Sequence, residues 1–312
     1  MNCETLITQA AELDRQGFLP LPGEDAEAFF ERFRASEEAF SAFEEELNRE
    51  GKAAVFEDFE VLSRDRIPVE IIAEAAEKTQ GLYGFENNRV PGFFLSGKVG
   101  ALWGGCMIGD PDNGFAVMLL RSAFREKKKW YLYERSELIA HELCHAMRQS
   151  LCDIRLEEYF AYQTSGSFLR RHFGNCFIRE RDAVLFILPT FVLLGATILR
   201  EFSHLQYPLF PFWCLAGIYP LFLLLRNFLS IYTLRKAEKN LNAFGVIRTA
   251  PVLFRSTFAE LKKIAAMKKK EEFEAFLEEM SRQELRWAIM KLRFFDQEQT
   301  TNETCRFDSL FE

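Results

Sequence analysis

The amino-acid sequence predicts an α+β protein: a small twisted antiparallel sheet with adjoining helices, a two-helix transmembrane hairpin, and helical regions at both ends. Three observations lead there. Apolar residues recur at helical intervals near both termini, short apolar runs broken by turn residues fill residues 82–122, and two long segments between residues 183 and 225 carry no charge.

Composition narrows the class. The 312 residues are 48% hydrophobic and 27% charged, which suits a folded chain and excludes a disordered tail. The net charge of −7 argues against a nucleic-acid partner, which would ask for a basic surface. Seven cysteines (Cys3, Cys106, Cys144, Cys152, Cys176, Cys214 and Cys305) are odd in number and scattered, with no CxxC pair. Reduced thiols and a cytosol-facing bulk are expected. The opening "MNCETLITQAAELD" has no basic stretch followed by an apolar core, so no secretory signal is expected.

Residues 1–80 read as an N-terminal helical region. In "EDAEAFFERFRASEEAFSAFEEEL", Phe29, Phe33, Phe40, Phe43 and Leu47 fall at roughly helical intervals among glutamates, as in an amphipathic helix packed on a larger body. Residues 81–182 form the second unit. "FFLSG", "GALWGGCMIG" and "GFAVMLLR" read as short strands, with "GDPDNG" (109–114) as a turn, giving a mainly antiparallel sheet. "REKKKWYLYE", with Lys127 to Lys129 on a solvated loop or strand end, leads into the helix "RSELIAHELCHAMRQ", for which Ser136 is the candidate N-cap.

Residues 183–225 form the hairpin. Ala183–Leu199 lies between Asp182 and Arg200, and Leu205–Leu225 between His204 and Arg226. Both suit a membrane crossing of about 17–25 residues, and the link "REFSH" is short. Tyr207, Phe212 and Trp213 stand where interfacial aromatic residues are common. Arg170, Arg171, Arg179 and Arg181 precede the hairpin, and Arg226, Arg235, Lys236 and Lys239 follow it. The loop holds only Arg200, so the positive-inside rule puts both flanks in the cytoplasm. The competing reading is a buried core hairpin of a soluble protein. Residues 226–312 complete the chain as a helical cytoplasmic region, with stripes at Phe273, Phe276, Leu277 and Met280 and at Leu285, Ile289 and Leu292. "KKIAAMKKK" (262–270) reads as a solvated face, with lipid headgroups as the alternative.

The chemistry sits in "HELCH". His141 and His145 are i and i+4, so both imidazoles can reach one ion on one helix face, and two imidazoles suit zinc. Glu142, one step round, is free to act as a proton acceptor rather than a ligand, which is the logic of H-E-x-x-H. Cys144 points away from that face and reads as packing. A hydrolytic zinc needs a third protein ligand. Glu158, in "RLEEYFAYQTSG" (155–166), follows His145 by enough chain for a second helix to return, and Ala161 at i+3 would allow close approach. Glu157 is the adjacent alternative.

"HELCH" followed by "EEYFA" resembles the gluzincin zinc metallopeptidases, which carry H-E-x-x-H and then E-x-x-A on the next helix. The match spans roughly residues 90–170. It implies a zincin-like fold, His141, His145 and Glu158 as zinc ligands, Glu142 as catalytic base, and an edge strand that receives an extended peptide. The sequence departs from the pattern where many gluzincins place an acid that orients a ligand histidine: Tyr162 and Gln163 stand there. A rival pattern, similar to the heat-shock and prenyl-protein membrane proteases, puts the third ligand after the hairpin. That would make it Glu238 in "LRKAEKNLNAFG", although Lys239-Asn240 replaces the Ala-Asp of that pattern. His204, in the outer loop, and His172, beside two arginines, are weaker candidates.

The expectation is a membrane-anchored zinc endopeptidase at the cytoplasmic face, with a peptide or protein substrate and the lipid bilayer as partners. The alternative is a non-catalytic membrane scaffold or adaptor that retains a zinc site. The scarcity of thiolates in the ligand set argues against a closed structural site.

Overall fold

The computed structural model describes residues 3–55, 59–87, 89–95, 103–110, 112–203 and 206–295. Helix α1 (Cys3–Arg15) leads to α2 (Ala26–Glu50), which Asp25 caps by accepting the Ala28 N–H at 2.9 Å. Gly51, at φ 70°, ends it. Phe29, Phe43 and Leu47 of the predicted stripe are buried.

The stretch predicted as helical also contains an antiparallel hairpin, β1 (Lys52–Val55) with β2 (Phe59–Leu62). Its strands are too short to show a period, yet Ala53, Val55 and Val61 turn inward against Phe43 and Leu47. Helices α3 (Val69–Ala73) and α4 (Ala76–Tyr83) follow.

Three strands make the central sheet: β3 (Gly92–Leu95), β4 (Gly105–Gly109) and β5 (Ala116–Arg121), in the order β3-β5-β4. It is mixed, which corrects the antiparallel expectation: β5 pairs antiparallel with β4 but parallel with β3. The chain passes β4 to the far edge before returning between the two, and this gives the long connection that a parallel pair requires. Strand β5 is buried on both faces. Ala116, Met118 and Leu120 join the main core, while Val117 and Leu119 meet α2 and the first hairpin. Strand β4 is left as an edge.

A second hairpin, β6 (Lys129–Trp130) and β7 (Tyr133–Glu134), feeds α5 (Arg135–Arg148). Ile139, Leu143, Cys144 and Met147 of α5 are buried against the Met118/Leu120 face of the sheet. Cys144 therefore packs in the core, as helix geometry predicts. Two short helices, α6 (Glu157–Tyr162) and α7 (Phe168–Phe173), cross toward the hairpin.

Helices α8 (Glu180–Ser203) and α9 (Phe210–Ala243) are each long and apolar enough to cross a membrane. Only 11% and 17% of their most apolar windows is buried, whereas a core hairpin of a soluble protein would hide most of its surface. Helix α9 runs unbroken beyond Leu225, where the apolar run ends, and its last third, with Leu234, Ala237 and Leu241, joins the main core. That core also takes in α10 (Thr249–Phe254), α11 (Phe258–Ala266), α12 (Lys270–Gln283) and α13 (Leu285–Phe294). Asn240, near the end of α9, donates to the carbonyls of Ile264, Ala265 and Met267. It stands fourteen residues beyond Arg226, or about 21 Å along the helix. The basic segment 262–270 is thus held far from the apolar spans, which favours its reading as a solvated face.

The C-terminal helices are locked by a buried charge. Glu260 accepts from Arg286 at 2.6 and 3.0 Å, from Trp287 Nε1 at 2.7 Å and from the Thr257 N–H at 2.7 Å. Burial raises its carboxyl, but the Arg286 bonds outweigh this and hold it below its ordinary value. Glu260→Ala strips Arg286 and Trp287 of these bonds and is expected to cost about 3 kcal/mol. With the folded pKa depressed, the contribution is full above the unfolded carboxyl's pKa and is lost as pH falls through the folded one. Urea unfolding of the detergent-solubilised protein measures both effects; equal midpoints for variant and wild type would refute them.

Candidate metal centre

Both ends of α5 are pinned. Arg135 pairs with Glu74 at 2.6 Å and donates to the Phe124 carbonyl at 2.8 Å. Ser136 is not the N-cap: the helix already includes Arg135, and the Ser136 hydroxyl bonds the Glu134 side chain at 3.1 Å. Glu137 grips the loop after α6, accepting from Ser165 Oγ at 2.9 Å and from the Gly166 N–H at 2.8 Å. At the far end Arg148 donates to the Phe254 carbonyl and lies 4.6 Å over the Phe160 ring.

Helix α6 is set against α5 by buried Phe160 and Ala161. Tyr83 Oη donates to the Phe160 carbonyl at 2.7 Å, and Asn175 accepts the Tyr159 N–H at 3.2 Å. The Ala161 carbonyl accepts a hydrogen bond from His141. The methyl side chain of Ala161 allows this approach, which gives the E-x-x-A spacing a physical meaning.

These restraints bring His141, His145 and Glu158 together, with one donor atom from each within 4.8 Å of the others. The Nε2 atoms of the two histidines are 3.1 Å apart. Glu158 Oε1 is 3.5 Å from His145 Nε2, and Glu158 Oε2 is 3.7 Å from His141 Nε2. Zinc–nitrogen bonds of about 2.0–2.1 Å at tetrahedral angles imply donor separations of about 3.3–3.4 Å. The two imidazole nitrogens stand near that separation and the Glu158 carboxylate lies beside both, its two oxygens each facing one ring; two imidazoles with a carboxylate are a common catalytic zinc set.

The neighbouring acids divide. Glu157 Oε1 is 3.3 Å from His145 Nδ1, on the side of the ring away from the triangle. It can fix that ring's orientation. Glu238, on α9, lies outside the triangle and acts instead on Tyr159, whose hydroxyl is pushed up to about 12 by burial and then by this charge. His172 is likewise elsewhere, stacked on Phe168. His204 lies outside the described residues.

Glu142 is 4% exposed and hydrogen-bonded by the backbone N–H of Met107 on β4. Burial raises its carboxyl to about 7, with His145 opposing and Glu158 adding to the shift. Burial also raises Glu158. His141 is held well below its usual value by burial and by His145. Burial opposes charge on His145 too, but Glu157 and Glu158 prevail and lift it to about 9. A cation entering the site competes with protons for these side chains.

A cleft of about 470 Å³ opens beside the triangle, between β4 and α6, lined by Gly105, Met107, His145, Gln149, Glu158 and Tyr162. A second, of about 200 Å³, continues on the His141 side past Trp103, Tyr133, Thr164 and Arg170. The edge of β4 borders the larger cleft, with the Met107 N–H already turned to Glu142. Tyr162 lines both clefts, its ring 4.5 Å from that of His141. Gly174 admits that ring: a Cβ there would stand 2.1 Å from it. Tyr162 and Asn175 drew no functional reading from the sequence, because their partners are distant in the chain. No protein-family model, curated protein or solved structure matches this chain.

Glu157→Gln keeps the size of the side chain but removes the charge facing His145. Zinc affinity is expected to fall about ten- to a hundredfold. Competition with a zinc-binding dye measures it; unchanged affinity would leave Glu157 as an ordinary surface acid.

Proposed function

We propose that this protein is a membrane-anchored, zinc-dependent endopeptidase that hydrolyses peptide bonds at the cytoplasmic face. One observation carries the reading: the His141/His145/Glu158 triangle stands beside a buried carboxylate, Glu142, at the open edge of a strand. His141, His145 and Glu158 hold the zinc, which supplies Lewis acidity, acidifying water and polarising a carbonyl. Glu142 takes the proton of the attacking water and returns it to the leaving amine. The Met107 amide keeps its carboxylate turned toward β4, against which the substrate lies extended. The Tyr162 hydroxyl, kept protonated by burial, is a donor available at the cleft wall. The fold is zincin-like in this reading, with β4 as the substrate edge.

In this reading the α8–α9 hairpin anchors the enzyme, and the arginines and lysines on both flanks, by the positive-inside rule, support a cytoplasmic side for the termini and the cleft. The test is elemental analysis of the detergent-purified chain together with cleavage of a quenched peptide library. One zinc per chain is expected, with cleavage that a chelator stops and zinc restores. No zinc after reloading, or bound zinc without cleavage of any peptide, would favour the membrane scaffold.

A further inference from the structure

We propose that the Tyr131–Leu132 turn and the Phe168–Leu169 face of α7 form a second membrane-contact surface, seated in the headgroup–acyl boundary of an anionic bilayer beside the α8–α9 hairpin. The inference rests on the membrane reading of that hairpin. The β6–β7 turn carries residues unusual for its type. Trp130 pairs with Tyr133, so only Tyr131 and Leu132 close the β6–β7 hairpin. Two-residue hairpin loops favour glycine, asparagine or aspartate, because their backbone enters the left-handed region. Tyr131 is there, at φ 54°, where a side chain with a Cβ is strained. Tyr131 is also 80% exposed and Leu132 76%. Strain and apolar exposure both oppose folding, and the contact of the Tyr131 ring with Trp130, 5.4 Å between centroids, leaves most of both side chains facing outward.

The turn does not stand alone. Arg170 of α7 donates to the Leu132 carbonyl, and its guanidinium lies 4.2 Å over the Tyr133 ring. That bond brings the turn next to α7, where Phe168 and Leu169 are more than half exposed. Helix α7 is in turn fixed at the level where α9 leaves its apolar run: Asn227, two residues past Leu225, donates to the His172 carbonyl at 2.9 Å. Farther along, the exposed Phe177 ring is 5.5 Å from Phe186 of α8. Exposed apolar residues thus run along the chain from Phe168 and Leu169 through Phe173 and Phe177 to the start of the hairpin.

Charge and residue type select the occupant. Lys127 and Lys128 precede the turn, and Arg179 and Arg181 lie between α7 and the first span, all of them exposed. Tyrosine at an interface, apolar side chains dipping below it and basic residues around them suit an anionic lipid surface. Tyr133 and Arg170, which hold the turn, also line the 200 Å³ cleft with His141 and Glu142. That cleft then opens beside the lipid surface, and the favoured substrate is a segment of chain lying close to the membrane.

The full chain, with the photoreactive residue benzoylphenylalanine placed singly at Tyr131, Phe168, Leu194 or Val69, is reconstituted in vesicles of phosphatidylcholine with phosphatidylglycerol and irradiated. Leu194 is exposed on the α8 span and Val69 begins α3. Lipid adducts at Tyr131 and Phe168 are expected several-fold above Val69, approaching Leu194, and reduced in phosphatidylcholine alone. Adducts at Leu194 but none at Tyr131 above Val69 would overturn the second surface only; none at Leu194 would overturn the membrane reading and this proposal with it. Adducts to a second copy of the chain instead of lipid would make the patch a protein interface and overturn the proposal. In a second arm, Tyr131→Asn with Leu132→Gly gives the turn its preferred residues. It is expected to raise the thermal midpoint in detergent and to cut lipid adducts from Phe168 in vesicles. A lowered midpoint would show the two residues to be structural.

Discussion

Glu142→Gln abolishes peptide cleavage and leaves one zinc per chain: this is the result expected if Glu142 is the base. Glutamine has the same shape, and its side-chain oxygen still accepts the Met107 N–H that holds the carboxylate toward β4. It lacks only the capacity to take a proton, and a positioned general base is worth about 10²–10⁴ in rate. The variant should fold at least as well as the wild type, because a neutral amide loses less than a carboxylate on entering a site that is 4% exposed. A collapse in kcat with zinc content and melting temperature unchanged therefore isolates proton transfer. Cleavage at the wild-type rate would sink the mechanism. Loss of zinc along with activity would instead make Glu142 part of the metal's support.

How much of this was legible in the sequence follows from how local each interaction is. His141 and His145 are four residues apart on one helix, so their convergence needs only helical geometry, and the spacing gives it. Glu158 was readable at one remove, because Ala161 marks the place where α6 can press on α5. The two spans were readable from the lack of charge. What escaped is non-local. The order β3-β5-β4 depends on which strands find each other, and the short apolar runs were alike in composition. The hydrogen bond from Tyr83 to α6 joins residues 77 apart in sequence, and no spacing rule reaches that far. The end of α9 was hidden for another reason: hydropathy marks where an apolar run stops, whereas Leu234, Ala237 and Leu241 carry the helix on into the protein core at helical spacing. In the sequence Glu157 and Glu158 are adjacent alternatives. In the fold they face different nitrogens, Glu157 toward His145 Nδ1 and Glu158 toward the two Nε2 atoms, since a helix turns adjacent side chains about 100° apart.

That division makes the second large prediction a discrimination between three glutamates. Zinc is expected to be lost, or to bind so weakly that it does not survive dialysis, in His145→Ala and Glu158→Ala. It should be retained at one per chain in Glu238→Ala and retained with lower affinity in Glu157→Ala. Glu158 offers oxygens at 3.5 and 3.7 Å from the two Nε2 atoms, so removing it leaves two imidazoles and no anionic donor. A three-ligand hydrolytic site does not tolerate that loss. Glu157 faces the outer nitrogen of His145, so its removal frees a ring and leaves the three proposed ligands in place. Glu238 belongs to α9 and stands outside the triangle. Only a rearrangement that carried the α9 backbone toward α5 would let it ligate, and Leu234, Ala237 and Leu241, packed in the core on either side of it, resist such a movement. Retention of zinc by Glu158→Ala with loss in Glu238→Ala would reverse the assignment and mean that the metal-bound protein pairs α5 with α9 rather than α6. Equal loss in both variants would require α6 and α9 to close on the metal together, and the clefts on either side of the triangle would then be the space through which they move.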